Sequence, residues 1–467
     1  MYQKPNFLIF LPDQHRGDWL PYDEIIFKKN GMEPLPIKMP NLKEQMKKGV
    51  TFTNAITPSP LCAPARACLA AGTRYKDCNV KGNYQDYPLK QETYYSKLKN
   101  EGYITAGIGK LDLHKPTHFW GLDGWIDDLG KLGFTHAIDN EGKWDAIFSV
   151  IRKKDGRGKT RRVKPENYSP KGPYLKYLSK HELLHTHIQD YLKRFGKKNL
   201  TTEPTPLPEH AYCDNWISSN AIQMLKQFPK GKPWHLVVNF TGPHDPWDVT
   251  KRMRERWKNV SFPPPHKGNP EKIDEEIMVR QNYAAMLENI DRNIGLILEE
   301  VKNRNEINNT IIIYGSDHGE MLGDFQRYGK LRPERGSVNI PLIISGPNII
   351  KNKVSRALVE LQDLNATLLD FAGISSQRLK NSLSLRDLLE ENTETHRSYQ
   401  ISAIDLRDVG LNEWKMICDG RYKLIIDNQQ KCILYDLKKD PWEDKDVSEK
   451  HPQISITLRK KLLELTS

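Results

Sequence analysis

The chain has 467 residues, of which 37% are hydrophobic and 28% are charged, and it carries a formal net charge of +12. This length and composition indicate a folded protein with a large core, in two domains or in one α/β domain with an appendage, and exclude a disordered or fibrous chain. No run of about 18 apolar residues occurs, so we expect neither a membrane span nor a membrane partner. We expect a periplasmic or secreted protein from which an export signal has been removed, with a cytoplasmic location left open.

The first predicted strand is the apolar run from Phe7 to Leu11 in "NFLIFLPDQHR", which breaks at Pro12. Such a run is typical of a buried parallel strand, because both faces of the strand are covered. The strand therefore leaves Asp13 and Gln14 at its carboxyl end.

Helices and strands then alternate. We predict a helix from Asn41 to about Lys48 followed by a strand, and "YYSKLKNEGYITAGIGKLDLHKP" repeats the order helix, strand, polar loop. Next come a helix over about 212–227, the strand "WHLVVNFTGPHDPW", a helix over about 280–302 and the strand "NTIIIYGSDHGE". This alternation predicts an α/β fold with a large, mostly parallel mixed sheet flanked by helices.

Two regions depart from this alternation. Residues 151–200 hold 15 Lys and Arg against 4 Asp and Glu, so we predict a basic insertion there, either a solvated loop or a surface for a polyanion. From about 375, the short strands "WKMICDG", "RYKLIID" and "CILYDL" and a helix from about Pro452 predict a smaller α+β domain with an antiparallel sheet. We therefore divide the chain into a main domain, 1–374, and a C-terminal subdomain, 375–467.

The six cysteines are too sparse for a disulfide framework, and none has the C-x-x-C spacing of a zinc site. A single bridge between Cys418 and Cys432 is left open, because both flank short predicted strands. Cys68 is expected to be a buried structural residue.

Cys62 stands in a different context. In "SPLCAPARACLAAGTR", Pro64 suits the first turn of a helix, which places Cys62 near the helix N-terminus, where backbone N–H groups and the helix dipole favour an anion. Arg66 adds a planar set of donors for oxyanions. The motif therefore predicts a site for a tetrahedral anion.

Polar side chains follow each of the predicted strands. They are Asp13 and Gln14, Cys62 and Arg66, Lys110 and His114, His244 and Asp245, and Asp317 and His318. Ligands of open α/β sheets bind at the carboxyl ends of the strands, so we expect these groups to converge on one pocket. Carboxylate and amide oxygens suit a hard divalent cation, and the histidine extends the choice to manganese. Taken singly, either acidic pair also fits a helix cap or a turn.

The core "CAPAR" matches the C-x-P-x-R motif of the sulfatase signature, and "CLAAGTR" is similar to the extension that follows it in that family. Other segments similar to that family occur in family order from residue 5 to about 450, among them "PNFLIFLPDQ", "GIGK", "FTGPHDPW", "IIIYGSDHGEMLGD" and "ILYDLKKDPWEDKDV". The chain thus resembles the type I sulfatases of the alkaline phosphatase superfamily. The resemblance implies an alkaline phosphatase-like fold and makes 1–374 the catalytic domain.

The resemblance also implies a modified nucleophile and a metal ion. A formylglycine-generating maturation enzyme would oxidise Cys62, one hydroxyl of the hydrated aldehyde would attack sulfur to form a sulfated enzyme, and the second would expel sulfate. One divalent cation, Ca²⁺ in the first place with Mn²⁺ or Mg²⁺ as alternatives, would be held by modified Cys62 and by Asp13, Gln14, Asp317 and His318. Gln14 and His318 replace residues more usual in sulfatases and resemble those of phosphonate monoester hydrolases and choline-sulfatases.

Further roles follow from the same resemblance. Arg66 would hold the modified residue, and His244 would protonate the leaving alcohol. Lys110 and Lys330 would neutralise the sulfate oxygens. Lys330 also fits an ordinary loop lysine, since many lysines surround it.

Two positions depart from the family pattern. The family usually has a histidine two residues after its lysine, whereas His114 stands four residues after Lys110, so either Asp112 or His114 would take that role. Ala65 replaces the more frequent serine of the motif, while the defining proline and arginine are present. Modification of Cys62 is therefore still expected.

These observations predict a sulfate ester hydrolase that acts on a sulfated carbohydrate. The basic segment 152–198 would follow a polyanion, Tyr168, Tyr174 and Tyr177 would stack on sugar rings, and no nucleic-acid partner is expected. Two alternatives are left open. One is a phosphonate monoester or phosphodiester hydrolase, or an arylsulfatase, with the same nucleophile, and the other is a non-catalytic polyanion-binding protein that keeps the fold.

Overall fold

The computed structural model describes residues 4–29, 31–115, 117–154, 160–196, 200–375, 379, 381–411 and 413–466. Its strands are β1 (Asn6–Phe10), β2 (Gly49–Phe52), β3 (Ala55–Ile56), β4 (Ile104–Gly109), β5 (His136–Asp139), β6 (Arg152–Lys154), β7 (Thr160–Arg162), β8 (Trp234–Asn239), β9 (Thr310–Tyr314), β10 (Leu342–Ser345), β11 (Lys353–Ser355), β12 (Val359–Glu360), β13 (Gln400–Asp405), β14 (Glu413–Cys418), β15 (Tyr422–Asp427) and β16 (Cys432–Asp436).

The helices are α1 (Glu24–Lys29), α2 (Pro40–Lys48), α3 (Cys62–Ala71), α4 (Tyr94–Asn100), α5 (Asp127–Lys131), α6 (Lys143–Ile151), α7 (Pro173–Lys180), α8 (Leu184–Gly196), α9 (Cys213–Gln227), α10 (Lys251–Glu255), α11 (Ile273–Asn303), α12 (Arg335–Val338), α13 (Asp363–Phe371), α14 (Arg386–Glu390) and α15 (Pro452–Thr466). In the described part of the chain, no helix is both long and apolar enough to cross a membrane.

The central sheet has eight strands in the order β11-β2-β10-β9-β1-β8-β4-β5. All neighbours pair in parallel except β10, which runs antiparallel to both β9 and β2. Strands β1 and β9 are buried throughout, as expected for parallel strands whose two faces are both covered. The predicted α/β class with a mostly parallel mixed sheet is confirmed.

Helices cover both faces of this sheet, and alternate side chains of β1 enter two different cores. Leu8 and Phe10 belong to a core built with α6, α8, α9 and α11. Phe7 and Ile9 belong to a second core, built with α3, α4 and α13. This alternation follows from the period of two in a strand, and it holds the carboxyl ends of the central strands between two packed layers.

The C-terminal part of the chain forms an antiparallel sheet in the order β13-β14-β15-β16. Leu458 and Leu462 of α15 pack against its apolar face. The predicted antiparallel sheet and terminal helix are confirmed, and β13, in "QISAID", is an additional strand that the prediction lacked. The domain boundary at 374/375 stays a prediction.

Several details differ from the predictions. Helix α11 begins at Ile273 rather than near 280, because three acidic residues in its first turn favour the positive end of the helix dipole. Cys418 and Cys432 are both free thiols, so the bridge between them is not formed. In the predicted basic insertion, residues 155–159 and 197–199 lie outside the described part of the chain. Tyr174, expected to stack on sugars, is instead buried and donates a hydrogen bond to the Ala211 carbonyl.

Candidate active site

The site lies at the carboxyl ends of four adjacent central strands, β9, β1, β8 and β4. Asp317 follows the end of β9 by three residues and Asp13 follows the end of β1 by three, while Asn239 ends β8 and Lys110 directly follows β4. Gly109 makes this convergence sterically feasible: a Cβ there would lie 1.9 Å from the Asn239 carbonyl oxygen, and its φ is +94°. Polar groups far apart in sequence therefore meet at one edge of the sheet.

Helix α3 brings Cys62 to this edge. Cys62 is its first residue, and all ten residues of the helix are buried. The many alanines let the helix lie close to its neighbours, and the helix ends at Gly72, whose left-handed conformation suits glycine. The Cys62 thiol thus sits at a buried helix N-terminus, where an anionic group is favoured.

The thiol of Cys62 is one of four potential metal ligands that lie close together. Ligand atoms of Asp13, Cys62, Asp317 and His318 all lie within 4.8 Å of one another, and all four residues are buried. The Cys62 Sγ is 3.3 Å from Nε2 of His318 and 3.7 Å from Oδ1 of Asp13. Nδ1 of His318 lies 2.9 Å from the Gly319 carbonyl oxygen. Because a carbonyl oxygen only accepts hydrogen bonds, Nδ1 carries the ring proton, and the lone pair of Nε2 is available to a metal ion.

Gln14 lies beside these four residues and has an unusual backbone conformation. Its φ is +75°, which is uncommon outside glycine, and its backbone N–H donates to Asp317 Oδ1 at 3.0 Å. Its side-chain amide donates to Glu320 and accepts from Lys330 Nζ at 2.9 Å. Because the same Nζ lies 3.0 Å from Cys62 Sγ, the amide oxygen faces the thiol cavity.

Two lysines, the buried Lys110 and the half-buried Lys330, set the charge state of the cavity. Burial alone would raise the pKa of Asp13, but Lys110, His244 and Lys330 outweigh it and hold that pKa well below its usual value. Burial and Asp13 would likewise raise the pKa of Cys62, but the two lysines lower it to about 7. The thiol position is therefore one where negative charge is stabilised.

Arg66 is held by three partners rather than facing solvent. Its guanidinium pairs with Asp317 at 2.9 Å and donates to Asn239 Oδ1 at 2.6 Å and to the Lys110 carbonyl at 2.8 Å. These bonds tie α3 to the ends of β9, β8 and β4, so Arg66 fixes the position of Cys62 relative to the acidic residues.

His244 lies on the open side of the thiol. Its Nε2 is 2.9 Å from Lys330 Nζ, and its Nδ1 is 3.2 Å from Asp245 Oδ1. Trp144, on α6, donates its indole N–H to the other Asp245 oxygen at 2.8 Å. Burial and then Lys330 lower the pKa of His244 to about 4. The imidazole is thus positioned from two directions, with one ring nitrogen toward the cavity.

The structure places Asp112 and His114 differently. Asp112 is buried and pairs with Lys110 at 3.1 Å and with Lys115 at 3.0 Å, so it anchors the cavity lysine. His114 instead contacts Asp86 at 3.3 Å and Thr117 at 3.0 Å, and no contact among the described residues joins it to the thiol cavity. Of the two, Asp112 is the residue beside the site.

The donor set fits a divalent cation. Two carboxylates, an amide oxygen and an imidazole nitrogen converge in one buried cavity, and hard cations such as Ca²⁺, Mg²⁺ and Mn²⁺ prefer such oxygen-rich sets. An unneutralised carboxylate is costly at such depth, and the ammonium group of Lys110 pairs with the Asp13 carboxylate. Asp13, Cys62, Asp317 and His318 therefore form a possible metal site, and the full set of ligands, with Gln14, stays a prediction.

The sequence-based prediction missed three residues that position the site. Asn239 holds Arg66, Glu320 holds Gln14, and Trp144 holds Asp245. Asn239 ends a predicted strand and Glu320 stands in the same "SDHGE" segment as Asp317, so the strand-end rule signals both. Nothing in the sequence signals Trp144, because it lies on helix α6, which follows none of the predicted strands.

Fold and site together fit a hydrolase of the alkaline phosphatase superfamily, with a cysteine at a helix N-terminus beside a possible metal site. The model of the family "Sulfatase" matches residues 5–374, and that of the "N-sulphoglucosamine sulphohydrolase, C-terminal" family matches residues 323–467. The chain belongs to the sulfatase family, and its activity class is accordingly the hydrolysis of sulfuric esters.

Three proteins are similar to this chain in sequence or in structure. An arylsulfatase of Clostridium perfringens is 28% identical over 426 residues, which are 85% of this chain and 80% of that protein. A protein solved in complex with its substrate D-glucosamine-2-N,6-O-disulfate superposes with a TM-score of 0.73 at 19% identity, covering 99% of this chain and 97% of that one. The phosphonate monoester hydrolase of Agrobacterium radiobacter superposes with a TM-score of 0.74 at 19% identity, covering 99% and 95%.

Proposed function

We propose that this chain removes a sulfate group from a sulfated carbohydrate, with Cys62 converted to formylglycine and a divalent cation held by Asp13, Gln14, Asp317 and His318. The observation that carries the proposal is the position of Cys62. Its sulfur lies at a buried helix N-terminus, 3.0 Å from Lys330 Nζ and beside a four-residue ligand cluster. A buried structural cysteine has no need of such surroundings.

Formylglycine and the cation would supply two kinds of chemistry. The hydrated aldehyde of formylglycine offers a hydroxyl nucleophile, and the cation, Ca²⁺ in our proposal with Mn²⁺ or Mg²⁺ as alternatives, favours its deprotonated form and offsets negative charge on the sulfate. The chain's own residues do the rest. Arg66 orients residue 62, and Lys110 and Lys330 donate to sulfate oxygens. His244, on the open side, protonates the leaving oxygen, a role that requires the negative charge of the bound sulfate to raise the imidazole pKa from its value of about 4 in the free protein.

We further propose that Asp112, rather than His114, supports Lys110 during the reaction, because it pairs with Lys110 and Lys115 at once. A role for His114 stays a prediction. Export to the periplasm or outside the cell, and maturation by a formylglycine-generating enzyme, also stay predictions.

The test is to express the chain with a formylglycine-generating enzyme and to measure the mass of the peptide that spans Cys62 together with turnover of 4-nitrophenyl sulfate. We expect an aldehyde in place of the thiol, and we expect Cys62→Ser to lower kcat by about 10³-fold or more. Cys68→Ala, a buried thiol in the same helix, is the matched control and should keep kcat. Full hydrolysis by Cys62→Ser would refute the proposed nucleophile.

A phosphonate monoester hydrolase is the second candidate function, favoured by Gln14 and His318 at the cation site. The structural likeness to the Agrobacterium radiobacter enzyme supports the shared fold. Comparing kcat/KM for 4-nitrophenyl sulfate and 4-nitrophenyl phenylphosphonate separates the two. A strong preference for the phosphonate would replace the sulfatase proposal.

A further inference from the structure

A groove of about 310 Å³ runs along helix α6, and Trp144 is the one residue of the described lining that was assigned to the site above. One wall is the apolar face of α6, where Trp144, Ile147, Phe148 and Ile151 recur at helical spacing. The opposite wall comes from α8, including Phe195. The outer end is closed by the β6–β7 hairpin, which contributes arginines.

The Trp144 end of this groove is the end next to the candidate active site. The indole N–H of Trp144 is bonded to Asp245, which in turn contacts His244, the proposed proton donor to the leaving group. Trp144 therefore has one edge toward the site and lines the groove as well. From Trp144 to Arg152, eight residues of largely helical chain span about 12 Å. The groove thus leads from the leaving-group side of the site to the basic hairpin.

The walls of the groove are aromatic. Ring centroids of Trp144 lie 5.3 Å from Tyr191 and 5.8 Å from Phe195, and Phe148 and Phe195 are 5.8 Å apart. Phe195 is 50% exposed, so part of its ring is open to a ligand in the groove. Flat apolar rings of this kind are suited to packing against sugar rings.

The outer end of the groove is positively charged. Arg152, Arg161 and Arg162 line it, and none of the described lining residues is acidic. The Arg152 guanidinium lies 4.2 Å from the ring centroid of Phe148, a cation–π contact that holds it at the groove mouth. Arginine pairs with sulfate or carboxylate through two parallel hydrogen bonds, so the outer end is complementary to such an anion.

We infer that this groove is the leaving-group subsite, and that it selects a sugar chain carrying a second anionic substituent, sulfate or carboxylate, beyond the group that is cleaved. The sugar would lie against Trp144 and Phe195, and the second anion would bind Arg152 and Arg162. The inference rests on the proposed function, because it places the leaving group on the His244 side.

The test measures binding, so that it does not depend on turnover. Calorimetry on the protein with unmodified Cys62 compares a heparin-derived disulfated disaccharide with its monosulfated counterpart. We expect Arg152→Ala/Arg162→Ala to raise the Kd of the disulfated sugar about tenfold and that of the monosulfated sugar less than twofold. Phe195→Ala should weaken binding of both sugars.

The matched control is Lys164→Ala, which removes an exposed positive charge from the same insertion at a residue that does not line the groove. It should change either Kd less than twofold. The inference is overturned if the disulfated sugar does not bind the unsubstituted protein, if the double arginine variant binds it unchanged, or if Lys164→Ala weakens it equally. Failure of the proposed function is read separately, as absence of 4-nitrophenyl sulfate turnover by the matured enzyme.

Discussion

The orientation of one amide, that of Gln14, depends on Glu320. Glu320 is fully buried and accepts hydrogen bonds from the Gln14 amide and from the backbone of Leu322 and Gly329. A carboxylate accepts and does not donate, so it holds the NH₂ group of Gln14 and turns the amide oxygen toward the cavity. Glu320 is thus a positioning residue for the cation site, one step removed from the ligands.

This arrangement predicts how Ca²⁺ affinity changes when the amide and the carboxylate are exchanged between positions 14 and 320. Glu320→Gln should weaken Ca²⁺ binding by about 10-fold or more, because residue 14 can then present its NH₂ group to the cation. Gln14→Glu/Glu320→Gln should recover part of the affinity, since the carboxylate then faces the cation and the new amide at position 320 donates to it. Calorimetric titration with Ca²⁺ of the unmodified Cys62 protein measures both. Unchanged affinity in Glu320→Gln, or no recovery in the exchange, would contradict this role.

Among the secondary-structure elements, helix α7 depends on a buried acid at its N-terminus. Glu141 accepts the backbone N–H of Tyr174 at 3.3 Å, and Gly172 makes the approach sterically feasible, since a Cβ there would lie 2.3 Å from the Glu141 carboxyl carbon. Burial raises the pKa of Glu141 to about 7, although hydrogen bonds from the backbone oppose the shift. One of its oxygens has no hydrogen-bond partner among the described residues, so the ionised form is poorly compensated.

The raised pKa predicts how stability changes with pH. Between its unfolded value of 4.5 and about 7, Glu141 binds more protons in the folded chain than in the unfolded one, so its contribution to the free energy of unfolding falls as pH rises through this window. The loss amounts to about 3 kcal/mol. Glu141→Gln should therefore have a higher Tm than the unsubstituted protein at pH 8 and a similar Tm at pH 5.

Thermal unfolding at both pH values checks this, with Glu166→Gln, at an exposed glutamate that precedes helix α7 in the chain, as control. The control should track the unsubstituted protein throughout. If the difference in Tm for Glu141→Gln does not grow between pH 5 and pH 8, Glu141 is not the buried acid described here.

At the scale of the whole molecule, the C-terminal sheet is part of the active-site support. Leu61, which precedes Cys62, packs in one cluster with Trp414 and Met416 of β14. The Trp414 indole donates to the carbonyl of Leu331, directly after Lys330, at 2.9 Å. The sheet thus contacts both the turn that precedes Cys62 and the loop that carries Lys330.

Removing that one hydrogen bond should affect activity more than stability. Trp414→Phe keeps an aromatic ring but leaves the Leu331 carbonyl unpaired, at a cost of about 1–3 kcal/mol that falls on the Lys330 loop. We expect kcat/KM for 4-nitrophenyl sulfate to fall about 5- to 10-fold. Trp442→Phe is the matched control, because its indole donates to the Gly31 carbonyl at 2.8 Å, and none of its described contacts involves the thiol cavity. An equal loss of activity in both variants would exclude a specific role for Trp414.

Many of the individual elements could be predicted from local pattern. The apolar runs of β1 and β9 and the helices α9 and α15 follow from periodicity, which is a property of neighbouring residues. Strand β11 was missed because an edge strand of three residues carries little of that signal. Strand β13 has six residues and was missed because only two of them, both isoleucines, are strongly apolar. The early start of α11 was missed because its first turn is charged rather than apolar.

The sequence by itself determined the fold class, the family and the identity of Cys62 as the central residue, because periodicity, strand-end polar residues and the C-x-P-x-R spacing are all local. Only the tertiary structure decided which polar groups meet. Gln14 and Glu320 are 306 positions apart, and Lys330 and Cys62 are 268 apart. Contacts of this kind arise from packing of the whole sheet, not from the spacing along the chain. The same packing separates His114 from the cavity and buries Tyr174, which no local pattern indicates.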